Sequence, residues 1–176
     1  NFLISAGIRL IYEKGFDLLI KSIGNLSNKL KKKIKVVIVG KGPEKNNLNN
    51  LIRSMRLNNI VKIKNWMEFK DFKNLVERSD LFIQPSRFDS YGGSILAMSL
   101  GVAVIGSRGA GAAVDRIKNG HNGYLYNAHD FKSLTSYIKT LLNNRKLRRS
   151  IAVNGKKTAL KWPITRGTKI LQRNLI

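Results

Sequence analysis

Cysteine is absent from this sequence, which excludes disulfides and thiolate metal sites and fits a cytosolic protein. Only two histidines occur, His121 and His129, too few for a zinc site built from protein ligands alone. Proline stands at three places, Pro43, Pro85 and Pro163. No apolar run reaches the roughly 18 residues that a membrane-crossing helix needs. No basic segment followed by an apolar one opens the chain, so no secretory leader is expected. Internal repeats, linkers and low-complexity tracts are absent too. Negative charge is scarce: 10 acidic residues face 33 basic ones, a net of +23. Such a field attracts polyanions of any kind. Abundant Lys, Asn and Ile offer a plainer account, a lysine-rich solvated surface with no partner behind it.

What is present reads as one ordinary domain. Its 176 residues, 43% of them hydrophobic, suffice for a real core. Apolar strands alternate with amphipathic helices along the chain. Strands are expected at Phe2 to Gly7, Ile34 to Gly40, Ile60 to Ile63, Leu81 to Gln84, Val102 to Ile105 and Leu125 to Tyr126. Helices are expected from Phe16 or Asp17 to Leu30 and, with Pro43 at the first helical position, to Arg56. Others are expected at Asp71 to Arg78, Ser94 to Leu100, Asp130 (as N-cap) to Leu142, and Lys146 to Trp162, where Pro163 stops the chain's helix. Ile164 to Ile176 is expected to dock elsewhere on the domain. The pattern predicts an α/β fold, a doubly wound parallel sheet.

The most informative stretch runs from Asp80 to Gly106. A short apolar strand ends at Gln84, a Pro85-Ser86 turn follows, and a polar loop leads to Gly92-Gly93 and a helix closed by Gly101. In open α/β sheets ligands sit at the carboxyl ends of strands. The loop from Ser86 to Gly93 lies at such an end, and its glycines are expected to open the way to backbone amides at a helix start, which suit an anion.

Pro85-Ser86-x-x-Asp89-x-Tyr91-Gly92, then Leu96-Ala97-Met98-Ser99-Leu100-Gly101-Val102-Ala103-Val104-Ile105, resembles the nucleotide-sugar loop of GT-B glycosyltransferases, family 4 (group 1) in particular. That pattern carries two glutamates. Here Asp89 takes the first place, and the second is missing because Leu96 runs directly into Ala97. The opening Gly7-Ile8-Arg9-Leu10 to Lys14-Gly15-Phe16-Asp17 is similar to the family's Gly-Arg-Leu to Lys-Gly-Phe-Asp, with Ile8 inserted. Lys41-Gly42-Pro43-Glu44, Asn65-Trp66-Met67 and the segment from Gly106 through Asp115 to Tyr126 also match.

The resemblance covers about residues 2 to 162 and implies a Rossmann-like donor domain, one half of a two-domain enzyme. The chain opens inside a strand and without methionine, so it is expected to be part of a longer protein whose acceptor domain lies outside it. Implied activity is retaining transfer of a sugar from a nucleotide diphosphate to an acceptor hydroxyl, in bacterial-type glycan or polysaccharide synthesis. No cofactor or metal is expected, because cations and helix-start amides meet the departing diphosphate. Arg9, Lys14 and Asp89 are the implied catalytic residues, the first two on the diphosphate and Asp89 on sugar hydroxyls. Gly7, Asn65, Trp66, Met67, Ser86, Tyr91, Gly92, Gly93, Ser94 and Asp115 are the other implied donor contacts. Leu96 and Ala97 stand where the family's ribose-binding glutamate would be, and neither can hold a ribose; one such lost contact costs about 1.5–3 kcal/mol. An aromatic such as Trp66 can stack on a base or anchor the core. Implied partners are the nucleotide-sugar donor, the acceptor domain and, through basic patches, an anionic membrane surface from the cytoplasmic side. Two other readings stand beside this one. The fold can be kept as a non-catalytic scaffold, or the charge can serve nucleic acid, although no RRM, KH or helix-turn-helix signature accompanies it.

Overall fold

The computed structural model describes residues 1–90 and 92–161; Tyr91, the stop at Pro163 and the segment from Ile164 lie outside the described residues. Six strands form one sheet: β1 (Phe2–Arg9), β2 (Ile34–Lys41), β3 (Val61–Lys64), β4 (Leu81–Gln84), β5 (Ala103–Ser107) and β6 (Tyr124–Tyr126). Their order is β3-β2-β1-β4-β5-β6, and every pairing is parallel. The chain winds outward from β1 to β3, then returns past β1 to β4. Strand order therefore reverses between β1 and β4, where Ile4 stands opposite Leu81 and Ser5 opposite Phe82. Outside the carboxyl ends of these two strands the crossovers diverge and leave a crevice.

Both faces of the sheet are covered, which is why its strands read as continuous apolar runs. Period-2 alternation sends Ile4, Ala6, Val36, Ile38, Leu81, Ile83, Ala103 and Ile105 into one core. There they meet helices α1 (Phe16–Gly24), α3 (Lys45–Ser54) and α7 (Phe131–Asn143). Val39, Phe82 and Val104 point the other way, onto α4 (Phe69–Glu77), α5 (Ser94–Ser99) and α6 (Gly111–Arg116). A short α2 (Asn28–Lys31) and the basic α8 (Arg145–Leu160) complete the described helices. None of these is long and apolar enough to cross a membrane.

Several boundaries differ from expectation. The first helix does not run to Leu30: it breaks after Gly24-Asn25, two poor helix formers, and α2 restarts after the extended Ser27. Pro43 is not the first helical residue, because α3 begins two positions later, after Glu44 has donated its N–H to the Leu10 carbonyl at 3.0 Å. α6 was not anticipated within its glycine-rich segment. β1 does not end at Gly7. The inserted Ile8, together with Arg9, extends the strand, and the two pair with Gly40 and Lys41. Gly40 permits this, since a Cβ there would lie 1.8 Å from the Ile8 carbonyl oxygen, and its φ of 148° suits glycine alone.

Candidate donor-binding site

A cleft of ≈ 410 Å³ opens at the carboxyl ends of β1, β2 and β4. Gly7, Ile8, Arg9, Lys14, Lys41, Trp66, Gln84, Asp89, Gly92 and Gly93 line it. Its chemical centre is an ion pair. Lys14 Nζ stands 2.6 Å from Asp89 Oδ2, with the two side chains only 11% and 12% exposed. The same Oδ2 accepts from Gln84 Nε2 at 3.1 Å and from the Ser86 hydroxyl at 3.4 Å. No side chain among the described residues donates to the other oxygen, Oδ1. Asp89 is therefore held in the cleft lining through one oxygen, Oδ2.

This arrangement depends on two elements far apart in sequence. Lys14 closes a 3-10 turn (Tyr12–Lys14) that Gly15, at a φ of 65°, joins to α1. Asp89 belongs to the loop after β4. Arg87 fastens the two together. Its Nη1 and Nη2 donate to Asp17 Oδ1 and Oδ2, each at 2.8 Å, and its guanidinium lies 4.0 Å over the Tyr12 ring. Nη1 also donates to the Tyr12 carbonyl at 2.9 Å, while the Arg87 and Phe88 amides donate to the Glu13 carbonyl. Burial pushes the Asp17 carboxyl up, but the hydrogen bonds and charges of Arg87 and Lys21 outweigh it and hold the group below its ordinary value. On the far side the Asp89 amide donates to the Gly109 carbonyl at 2.8 Å, and Gly111 donates back to the Asp89 carbonyl at 2.9 Å. Asp89 is thus stitched between β4 and β5.

Gln84 links this carboxylate to the start of α5. Its Oε1 accepts from the Ser94 amide at 3.2 Å and from the Ser94 hydroxyl, while its Nε2 serves Asp89. Gly92 is required by this contact, because a Cβ there would sit 1.9 Å from Gln84 Nε2. The expected free amide at Ser94 is therefore already engaged.

Of the sequence-predicted residues, Gly7, Arg9, Lys14, Trp66, Asp89, Gly92 and Gly93 converge on the cleft. Trp66 is half-exposed there, so it is not the core anchor. Others lie elsewhere. Asn65 accepts from Lys45 Nζ at 2.7 Å, and Met67 packs against the second core. Ser86 is buried as a brace, its carbonyl accepting from the Ser107 hydroxyl. Ala97 is fully buried in the second core and Leu96 packs beside it. Asp115 is exposed on α6 and lines no part of the cleft. Sequence reasoning passed over Gln84, Lys41 and Ile8. Gln84 was visible as the polar residue of an otherwise apolar strand; Lys41 was hidden inside a Gly-x-Gly turn. Among the described residues no three of His, Asp and Glu gather to hold a metal ion.

The doubly wound parallel sheet is Rossmann-like, the fold of the GT-B glycosyltransferase domains among the solved structures below. The chain belongs to the family described as Glycosyl transferases group 1, whose profile matches residues 1–158. It is 29% identical over 160 residues to the capsular polysaccharide biosynthesis glycosyltransferase CapM of Staphylococcus aureus, covering 89% of this chain and 41% of that protein. The 2-deoxystreptamine N-acetyl-D-glucosaminyltransferase of Niallia circulans is 22% identical over 149 residues, 84% of this chain and 38% of its own length. The chain thus spans about two fifths of these curated relatives. Among solved structures it is similar to the C-terminal domain of the group 1 protein LpcC from Francisella tularensis, with TM-score 0.80 and 22% identity over 91% of this chain and 85% of that one. HepE of Anabaena in complex with UDP gives TM-score 0.88 and 22% identity over 99% of this chain and 48% of that one.

Proposed function

We propose that this chain is the donor-binding domain of a retaining glycosyltransferase that takes a nucleotide-diphosphate sugar and serves glycan or polysaccharide synthesis. The observation that carries the reading is the Asp89 carboxylate, tied through Oδ2 to Lys14 and Gln84 in a cleft that Arg9 also lines. Such a cleft suits the two ends of one ligand. Positive charge at the strand ends meets the diphosphate, and it counts most as the leaving group gains charge. Asp89 accepts from a sugar hydroxyl, and the half-exposed Trp66 offers an aromatic face to the base. HepE, which shares this fold, has been solved with UDP and with UDP-glucose, which supports a nucleotide-sugar donor here. Cations in place of a divalent ion, an acceptor half in the rest of the protein, and work on the cytoplasmic side belong to the same reading.

Calorimetry with UDP, GDP and ADP tests it. The wild-type chain is expected to bind at least one of them, and Arg9→Ala to bind about tenfold more weakly, about 1.4 kcal/mol. Equal affinities would remove Arg9 from the site. Binding of none by wild type would leave the scaffold reading, which the buried Ala97 and the partly buried Leu96 at the ribose position already favour over a normal ribose clamp.

A further inference from the structure

Gln84 is a buried amide at the end of a strand whose other residues, Leu81, Phe82 and Ile83, are apolar. Burying an amide is unfavourable unless both of its ends find partners. Here both do, and chemistry fixes which way round. The Ser94 backbone N–H can only donate, so Oε1 faces it at 3.2 Å, and Nε2 is left to donate to Asp89 Oδ2 at 3.1 Å. The Ser94 hydroxyl adds a second contact to Oε1, and Gly92 leaves the space that the amide fills. The Asp89 backbone is held separately, its amide on the Gly109 carbonyl and its carbonyl under the Gly111 amide. What Gln84 adds is the direction of the carboxylate.

We infer that Gln84 is a positioning residue for the donor sugar: its Nε2 keeps the Asp89 carboxylate in place when the diphosphate engages Lys14. This rests on the donor-domain reading above and deepens it. Asp89 Oδ2 has three partners, Lys14 at 2.6 Å, Gln84 at 3.1 Å and the Ser86 hydroxyl at 3.4 Å. The Lys14 ammonium has three N–H donors, so it can touch Asp89 and a phosphate together, but its charge is then shared between two anions. The Ser86 contact is longer than an ordinary O–H···O bond and cannot take over. Gln84 is neutral and pinned at its far end by Ser94, so it keeps its place on Oδ2 while Lys14 is shared. A carboxylate only 12% exposed needs such a donor to stay ionised and correctly aimed.

The inference is tested by calorimetry of the 176-residue chain with UDP, UDP-glucose, GDP and GDP-mannose at moderate salt, using wild type, Gln84→Met and Gln84→Glu. Methionine matches the length of glutamine but cannot donate to Asp89. Gln84→Met is expected to lose about tenfold in affinity for the nucleotide sugar that wild type binds. Its loss for the matching free nucleotide should be clearly smaller, because that ligand has no sugar to meet Asp89. Gln84→Glu sets a second carboxyl against Asp89, which repels it when ionised and donates to it when protonated, as the amide does. This variant should therefore bind the nucleotide sugar weakly near about pH 8 and recover toward the wild-type affinity near about pH 5, where wild type itself changes little. A purely structural role would weaken both ligands together and would not respond to pH. The inference is overturned if Gln84→Met binds the nucleotide sugar as tightly as wild type, or loses nucleotide and nucleotide sugar equally. Should Gln84→Met fail to fold, Gln84→Glu decides alone, and an affinity equal at the two pH values overturns the inference. If wild type binds none of the four, the donor reading itself falls, a result distinct from the others because no variant then needs comparing.

Discussion

Arg87 lines no part of the cleft, yet its two Nη atoms reach both oxygens of Asp17 and its guanidinium covers the Tyr12 ring. Its backbone and side chain tie the Asp89 loop to the turn that presents Lys14. Arg87 is 11% exposed in its side chain and Asp17 24%, so the pair lies between a surface bridge and a buried one. Arg87→Ala is expected to cost about 2 kcal/mol, between the values for exposed and buried pairs. Proton linkage gives this a signature. The Asp17 carboxyl is held below its ordinary 3.8 in the folded chain, so its contribution is complete above that value and disappears as pH falls through the lowered one. Urea unfolding should show a wide gap between wild type and variant at pH 7 and a narrower one near pH 3. A gap that stays constant would mean that packing over Tyr12, not the ion pair, supplies the stability. None of this was legible beforehand. Arg9, Lys14 and Asp89 stand in local motifs, whereas the Arg87–Asp17 pair joins residues 70 apart and becomes visible only when the fold brings them together.

At the scale of elements, period and punctuation told most of the story. β4 runs from Leu81 to Gln84 as expected, because three apolar residues and a glutamine flanked by Asp80 and Pro85 allow little else. Asp130 does cap α7, its carboxylate accepting from the Ser133 amide at 3.0 Å. Two of the differences share a cause: contacts from elsewhere shifted the ends. The start of α3 is set by the Leu10 carbonyl, and the length of β1 by its pairing with β2. Just beyond the end of α3 stands Arg56, the single non-glycine residue with positive φ among those described, at 56°. That left-handed conformation follows a helix C-terminus, where glycine is usual and a side chain costs roughly 1–2 kcal/mol. Arg56 is exposed and makes no side-chain bond among the described residues. Arg56→Gly is therefore expected to stabilise the domain by about 0.5–1 kcal/mol, the gain being reduced by glycine's greater freedom when unfolded. For a chain of this size that is a rise of roughly 2–4 °C per kcal/mol in melting temperature. Arg56→Ala, which keeps a Cβ, should give little. A loss of stability in the glycine variant would show that Arg56 makes a contact worth more than its strain.

The whole molecule presents its cleft as one wall. Arg9 and Lys41 are exposed, Ile8 is 43% exposed and Trp66 50%, so a bound donor would remain open to water on the side away from the sheet. Transfer to a chosen hydroxyl requires that the acceptor be positioned and water be kept out, because a developing sugar cation reacts with whichever nucleophile is nearest. Neither task has a residue assigned among those that line the cleft. The chain also matches only 41% of CapM and 48% of HepE, which leaves ample sequence in such proteins for the facing wall. The 176 residues alone are thus expected to bind nucleotide and nucleotide sugar without passing the sugar on. Their net charge of +23 will assist that binding at low salt and confound it. The measurement therefore belongs at moderate ionic strength, with sulfate as a competitor to reveal purely electrostatic adsorption. Mass spectrometry of UDP-glucose or GDP-mannose mixtures, with glycan or lipid acceptors present, should then show saturable binding and no glycoside product. Glycoside formed by this chain alone, and abolished by Asp89→Asn, would mean that the single wall is catalytically sufficient and that the facing half serves only to choose the acceptor.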